Sequence, residues 1–189
     1  MSGELILVIV IVSFAALYFV VPFAVGAYMK YRGKMVVTCP ETQKPAGVEV
    51  DVKHAALTAA VGQPELRLKD CTRWPERKDC GQECLMQIEL APEDCLVRNI
   101  LAEWYRDESC AICRKPFGEI HVLDHKPGLL GPDSKMTEWA EIRAEQINEI
   151  LATHKPICWN CLVTESFVRQ HPDLVFERPS KRVAESGKR

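Results

Sequence analysis

Two x-x-spaced cysteine pairs, Cys110-Ala-Ile-Cys113 and Cys158-Trp-Asn-Cys161, constrain this chain more than any other feature. Set one small folding unit apart, they supply four thiolates, a tetrahedral ligand set for Zn²⁺. The chain has nine cysteines in 189 residues. An odd count argues against a fully paired disulfide framework, and x-x spacing favours metal ligation. Spacing alone does not separate zinc from an iron–sulfur cluster, which also takes four thiolates. The competing reading is a pair of redox dithiols, because a Cys-Trp-Asn-Cys at a helix start has the geometry that lowers a thiol pKa. No thioredoxin-like strand–helix order precedes it, however, and a lone redox pair does not require a matching pair upstream. Arg114 and Leu162 follow the two pairs where haem attachment would need His.

Residues 5–29 form an uncharged apolar run, long enough to span a hydrocarbon core of roughly 30 Å with length to spare. Pro22 lies inside it, a position that a bilayer helix tolerates. Tyr18 and Tyr28 suit interfacial positions, Tyr28 better because Lys30 follows. A cleaved signal peptide is the alternative, with Ala24-Val25-Gly26 as a weak cleavage site. The run is long for that role, and Met-Ser-Gly-Glu before it carries no basic residue. Lys30, Arg32 and Lys34 follow the run, whereas Glu4 is the charged side chain ahead of it. The positive-inside bias therefore places the N-terminus outside and the C-terminal domain in the cytoplasm. A reducing compartment that keeps thiolates free points the same way. Residues 1–34 are accordingly an anchor with a basic flank, in contact with the lipid bilayer.

Residues 35–95 read as a cysteine-rich α+β lobe. Met35 to Thr38 looks like a strand ending in a turn at Cys39-Pro40, and Gly47 to Val52 alternates as a half-buried strand does. Lys53 to Val61 is Ala-rich and helical in character, stopped by Gly62 and Pro64. Glu65 to Lys69 alternates again and runs into Cys71. A helix over Gly81 to Leu90 would put Cys80 and Cys84 on one turn. A second metal site can be drawn from five candidates, Cys39, Cys71, Cys80, Cys84 and Cys95; the preferred set is Cys39, Cys71, Cys80 and Cys84, with Cys95 a packed thiol, and Cys95 in place of Cys39 is the alternative. The bland reading makes all of them small buried hydrophobes, since no pair here has x-x spacing.

Apolar residues at three-and-four spacing from Leu96 to Tyr105 predict one amphipathic connecting helix over 96–108, with Asp94 as N-cap and Trp104 in the core. In 109–176, Cys110 to Phe117 has the form of a metal knuckle, and Gly118 lets the chain turn away. Glu119 to Leu123 reads as a strand, Pro127-Gly128 and Gly131-Pro132-Asp133 as turns, and Lys135 to Glu141 as a return strand. Ala144 to Leu151 marks a helix ending near His154. A final helix over Asn160 to Gln170 would turn Val163 and Phe167 inward. A knuckle, a hairpin, and a helix whose first turn donates the second ligand pair resembles a treble-clef zinc finger, over about Ser109 to His171. The resemblance implies fold more than activity, and the inserted helix departs from the minimal pattern.

Leu123-Asp124-His125-Lys126-Pro127 resembles the Asp-His-x-x-Pro segment of HNH endonucleases, whose core is also a treble clef. That likeness implies His125 as general base, with Asp124 its neighbour. The family's further His or Asn on the final helix is missing at Leu162-Val163-Thr164, and metal-activated hydrolysis then lacks a part. A formal charge of -2 gives no basic signature either, so nucleic acid is not an expected partner. His121 and His125 otherwise read as turn histidines or outer partners of the thiolates, and Asp124, Glu138 and Glu141 as solvated charges. The tail, 177–189, is polar and without apolar period; its basic residues make at most weak contact with anionic lipid.

The sequence thus predicts an α+β fold: one transmembrane helix, then a small cysteine-rich zinc domain with a treble-clef-like C-terminal half. No nucleophile–base pair, phosphate loop or dinucleotide fingerprint is found. The expected function is a non-catalytic docking or accessory subunit of a larger membrane complex. The alternatives are an iron–sulfur or dithiol redox protein and an HNH-like metal-dependent hydrolase.

Overall fold

A computed structural model describes residues 3–77, 79–121 and 124–174. The tail and two residues of the expected 119–123 strand, Val122 and Leu123, lie outside the described residues. The architecture is α+β, with a long apolar helix leading into two three-stranded antiparallel sheets.

Helix α1 (Gly3–Tyr31) has 29 residues and a mean hydropathy of 2.9 in its most apolar window. At 1.5 Å per residue it is about 43 Å long. It is long and apolar enough to cross a membrane, a test that a signal sequence also passes. Most of it touches nothing else, but Ala27 and Tyr31 are buried and Ala24 half-buried, one stripe at helical spacing. That stripe meets α2 (Val52–Ala59), whose buried residues are Ala55 and Ala59. Alanines on both sides let the two helices approach closely. Asp51 caps α2, its Oδ1 accepting from the His54 amide at 3.1 Å. That bond, then Arg67 at 2.6 Å, holds the Asp51 carboxyl below its usual range.

The first sheet has the order β1 (Lys34–Thr38), β2 (Pro45–Val50), β3 (Leu68–Cys71). Met35, Val37, Val48 and Val50 send their side chains into a core shared with Ile88 and Leu96. Strand alternation thus delivers one face to the core, as the sequence pattern predicts for β2. Two expectations fail here. Helix α3 (Leu85–Leu90) is shorter than 81–90, and Cys84 is its N-cap, so Cys80 and Cys84 do not share a helical turn. The single connecting helix is also broken. Helix α4 (Pro92–Cys95) opens with Pro at its start, leaving Asp94 inside it rather than at an N-cap. Leu96 then takes an extended ψ of 117° and bridges to Met35 of β1 before α5 (Val97–Arg106) begins. A tertiary strand contact overrides the helical period.

Helix α5 packs between the halves. Val97, Leu101 and Tyr105 are buried against Leu129, Ile142 and Ile147, while Trp104 is half-buried beside them. Each fully buried aliphatic side chain here contributes about 1.5–3 kcal/mol. The Tyr105 hydroxyl donates to the Gly128 carbonyl at 2.5 Å, and burial pushes its pKa well up. The second sheet has the order β5 (Met136–Glu138), β4 (Gly128–Leu130), β6 (Lys155–Ile157). The expected turn at Pro127-Gly128 is therefore the start of the central strand. The return strand shortens to β5 and gives way to a 3-10 turn at Trp139–Glu141, capped by Glu138 and Glu141 against each other's backbone. Those two carboxylates are caps rather than merely solvated charges. Helix α6 (Ile147–Thr153) leads into β6, which carries Pro156 opposite Leu129. Proline is accepted because β6 pairs only with β4, at the sheet edge.

Candidate metal centre

Each cysteine pair reaches the site by a different local device. At the first, the Cys110 amide donates to the Lys115 carbonyl and the Arg114 amide to the Cys110 carbonyl, both at 2.9 Å. Arg114 and Gly118 take positive φ of 63° and 69° to close this turn and leave it. At the second, β6 runs straight into α7 (Trp159–Gln170), with Cys158 as N-cap and Cys161 in the first turn. The helix starts one residue earlier than expected.

One backbone bond sets the two devices side by side: the Ala111 amide donates to the Pro156 carbonyl at 2.8 Å. From the other side, Leu162 of α7 packs on Gly128 of β4, where an added Cβ would lie 2.9 Å from a Leu162 methyl. Leu162 is the buried residue of α7; Val163 and Phe167, expected inside, are 45% and 49% exposed. The helix turns about its axis so that Leu162, beside Cys161, meets the sheet.

The result is a group of four sulfurs, from Cys110, Cys113, Cys158 and Cys161, all within 4.8 Å of one another. Cys113 and Cys158 Sγ are 3.7 Å apart. A tetrahedral four-thiolate zinc with bonds of about 2.3 Å has sulfurs about 3.8 Å apart. The donor set and its spacing therefore fit a metal ion such as zinc.

The four thiols do not ionise alike. Burial opposes ionisation of Cys110, but amides of Cys113, Cys158 and Ile112 aimed at its sulfur outweigh this and bring its pKa down to about 6. The Cys158 amide lies 3.3 Å from that sulfur. Cys161 is pushed strongly up, by burial first and then by the neighbouring thiols, and Cys158 is raised as well by burial. Successive negative charges in one small volume repel, and a divalent cation at the centre removes that opposition. Cys110 is completely buried and Cys113 exposed, so the group sits at the surface with one edge open to water.

His125 does not join this group. Its ring stacks on Trp159 at the start of α7, centroids 5.0 Å apart and planes 9° from parallel. Asp124 accepts from the His121 amide at 2.7 Å, so it closes a local turn rather than orienting an imidazole. Among the described residues, His125 belongs to no convergent set of ligating side chains.

In the first lobe, Cys39, Cys71, Cys80 and Cys84 line one cavity of about 100 Å³, together with Arg73 and Trp74. Cys95 is not part of its lining. It is buried in the apolar core, where burial and then Asp94 raise its pKa. Sequence reasoning missed the residues that align the C-terminal site without ligating it: Ala111, Gly128, Pro156 and Leu162. Glycine and proline there read locally as turn signals, and their partners are far away in the chain.

Compared with known proteins, the chain matches no family model, no curated protein and no solved structure.

Proposed function

We propose that this chain is a single-pass membrane protein whose zinc-stabilised domain is a non-catalytic docking or accessory module of a larger membrane complex. The observation that carries this reading is the junction of α1 with the domain. Its apolar length is exposed, yet Ala27 and Tyr31 belong to the core of the first lobe. Arg98 tightens the joint, donating to the carbonyls of Arg32 and Met29 at 3.0 and 3.3 Å. A domain built onto the end of its anchor is held at a fixed height and orientation, which suits docking better than free diffusion of an enzyme. Lys30, Arg32 and Lys34 at that joint favour the cytoplasmic side.

The C-terminal lobe is best described as treble-clef-like, with a knuckle, a β4–β5 hairpin and a terminal helix carrying the second ligand pair. Its insertion is α6 and β6. In this reading the metal is structural: zinc supplies folding free energy to a lobe with a small core. Exposed apolar side chains on the first lobe, Leu57, Val61, Met86 and Leu90, offer surface for a partner.

The test is carried out on native membranes. The full-length chain should resist carbonate extraction, run in mild detergent at a size well above its own, and have a protease-accessible domain on the cytoplasmic face. Release into the soluble fraction as a monomer would overturn the reading. So would a purified chain that is brown and contains iron.

A further inference from the structure

The knuckle at Cys110 has a counterpart at the tip of the β1–β2 hairpin. There the Cys39 amide donates to the Lys44 carbonyl at 2.9 Å and the Gln43 amide to the Cys39 carbonyl at 2.8 Å. These are the same two bonds, at the same separations along the chain, as Cys110 makes with Lys115 and Arg114. The residue four beyond each cysteine takes the same left-handed conformation, with φ of 55° at Gln43 and 63° at Arg114. A cysteine also precedes each helix, Cys84 before α3 and Cys158 before α7, though Cys84 is helical in backbone and Cys158 extended. The difference is at the third position after the knuckle cysteine, where Thr42 stands and Cys113 has its thiol.

Two glutamine side chains fasten the other cysteines to this knuckle. Gln87 of α3 binds the backbone of Thr38 in both directions, accepting from its amide at 3.0 Å and donating to its carbonyl at 2.7 Å. This holds Cys84 beside Cys39. Gln82, between Cys80 and Cys84, accepts from the Leu68 amide at 2.8 Å and so ties that loop to the strand that ends in Cys71. The four cysteines consequently line one cavity, although they come from three stretches of chain.

We infer that Cys39, Cys71, Cys80 and Cys84 form a second four-thiolate zinc site, independent of the C-terminal one. Cys71 replaces the ligand that Thr42 cannot supply. Arg73 donates to Cys39 Sγ at 3.2 Å and to Thr42 Oγ1 at 3.1 Å. Four thiolates on Zn²⁺ carry net negative charge, and a guanidinium bonded to one sulfur offsets part of it while fixing its direction. The sulfurs are less tightly gathered than in the C-terminal group, which is the convergent set among the described residues. Cys71 and Cys80 are half-exposed, whereas Cys39 and Cys84 are buried. With both sites filled, eight of the nine cysteines are ligands and Cys95 is a packed thiol.

The experiment is metal analysis of the full-length chain in detergent, with variants at each site. The wild type should hold about two zinc ions per chain. Cys39→Ser/Cys84→Ser should halve that content, and Cys110→Ser/Cys113→Ser should halve it independently. A wild type with one zinc, unchanged by the Cys39/Cys84 substitutions, overturns the second site. Should a variant fail to fold, cobalt titration of the stripped wild type decides: tetrathiolate bands that grow to two equivalents support the site, and saturation at one overturns it. Iron in place of the second zinc also overturns the assignment.

Discussion

The two cysteine-bearing lobes use the same small devices, a knuckle and a cysteine-capped helix, but rest on unequal cores. The first lobe buries Met35, Val37, Val48, Val50, Ile88 and Leu96 together with the end of α1. Around the C-terminal cluster the buried residues are Cys110, Ile157 and Leu162, with half-buried neighbours, while Leu129, Ile142 and Ile147 of the same lobe bury against α5 instead. Ligand geometry runs the other way. The C-terminal sulfurs lie within 4.8 Å of one another, whereas the first-lobe cysteines line a cavity without gathering as closely. A metal in the C-terminal cluster, where apolar burial is scarce, would therefore contribute more to local stability than one in the first lobe.

Metal removal gives the largest contrast. Structural zinc contributes about 10–16 kcal/mol of apparent binding free energy in small zinc folds. Chelation, or Cys110→Ser, should therefore unfold the region around 109–170 while the first sheet keeps its amide protection. Hydrogen exchange with and without chelator checks this; equal loss of protection in both lobes would erase the proposed contrast.

Next in size is the apolar core. Ile88→Ala should cost about 2–5 kcal/mol and melt the first lobe without releasing C-terminal metal. Thermal unfolding combined with metal analysis reads both effects, and loss of all metal would mean the lobes fold as one unit.

The Gly128–Leu162 contact supports a sharper test. Gly128→Ala should destabilise the C-terminal lobe by about 1–3 kcal/mol through overpacking. Adding Leu162→Ala should cost less than the sum of the single changes, because the second removes the clash created by the first. Additive losses in denaturant titrations would show that Leu162 does not seat α7 on β4.

The smallest effect is expected at His125. Its stack on Trp159 is worth about 0.5–1.5 kcal/mol, and His125→Ala should shift the melting temperature slightly while zinc content stays unchanged. Cation-dependent nicking of DNA that disappears in this variant would instead revive the hydrolytic role that the Asp-His segment suggests.

Some of the molecule was legible because its cause is local. The apolar run of α1 makes a helix by composition, and Cys-x-x-Cys makes a knuckle or a helix start by spacing. Alternation marked β2, since a strand with one buried face has period two. The errors share a different origin. Gly128 begins a strand because β5 and β6 pair with it on both sides and Leu162 leaves no room for a side chain. Leu96 breaks a periodic helix because Met35 offers it a strand contact.

The sequence alone therefore determined the apolar helix and the cluster of Cys110, Cys113, Cys158 and Cys161, since residue type and short-range spacing suffice for both. Tertiary structure alone decided that the end of α1 is core and that Leu162 rather than Val163 or Phe167 faces the sheet. Those outcomes depend on contacts between residues far apart in the chain. No local pattern records such contacts, because each partner satisfies its own stretch equally well without the other.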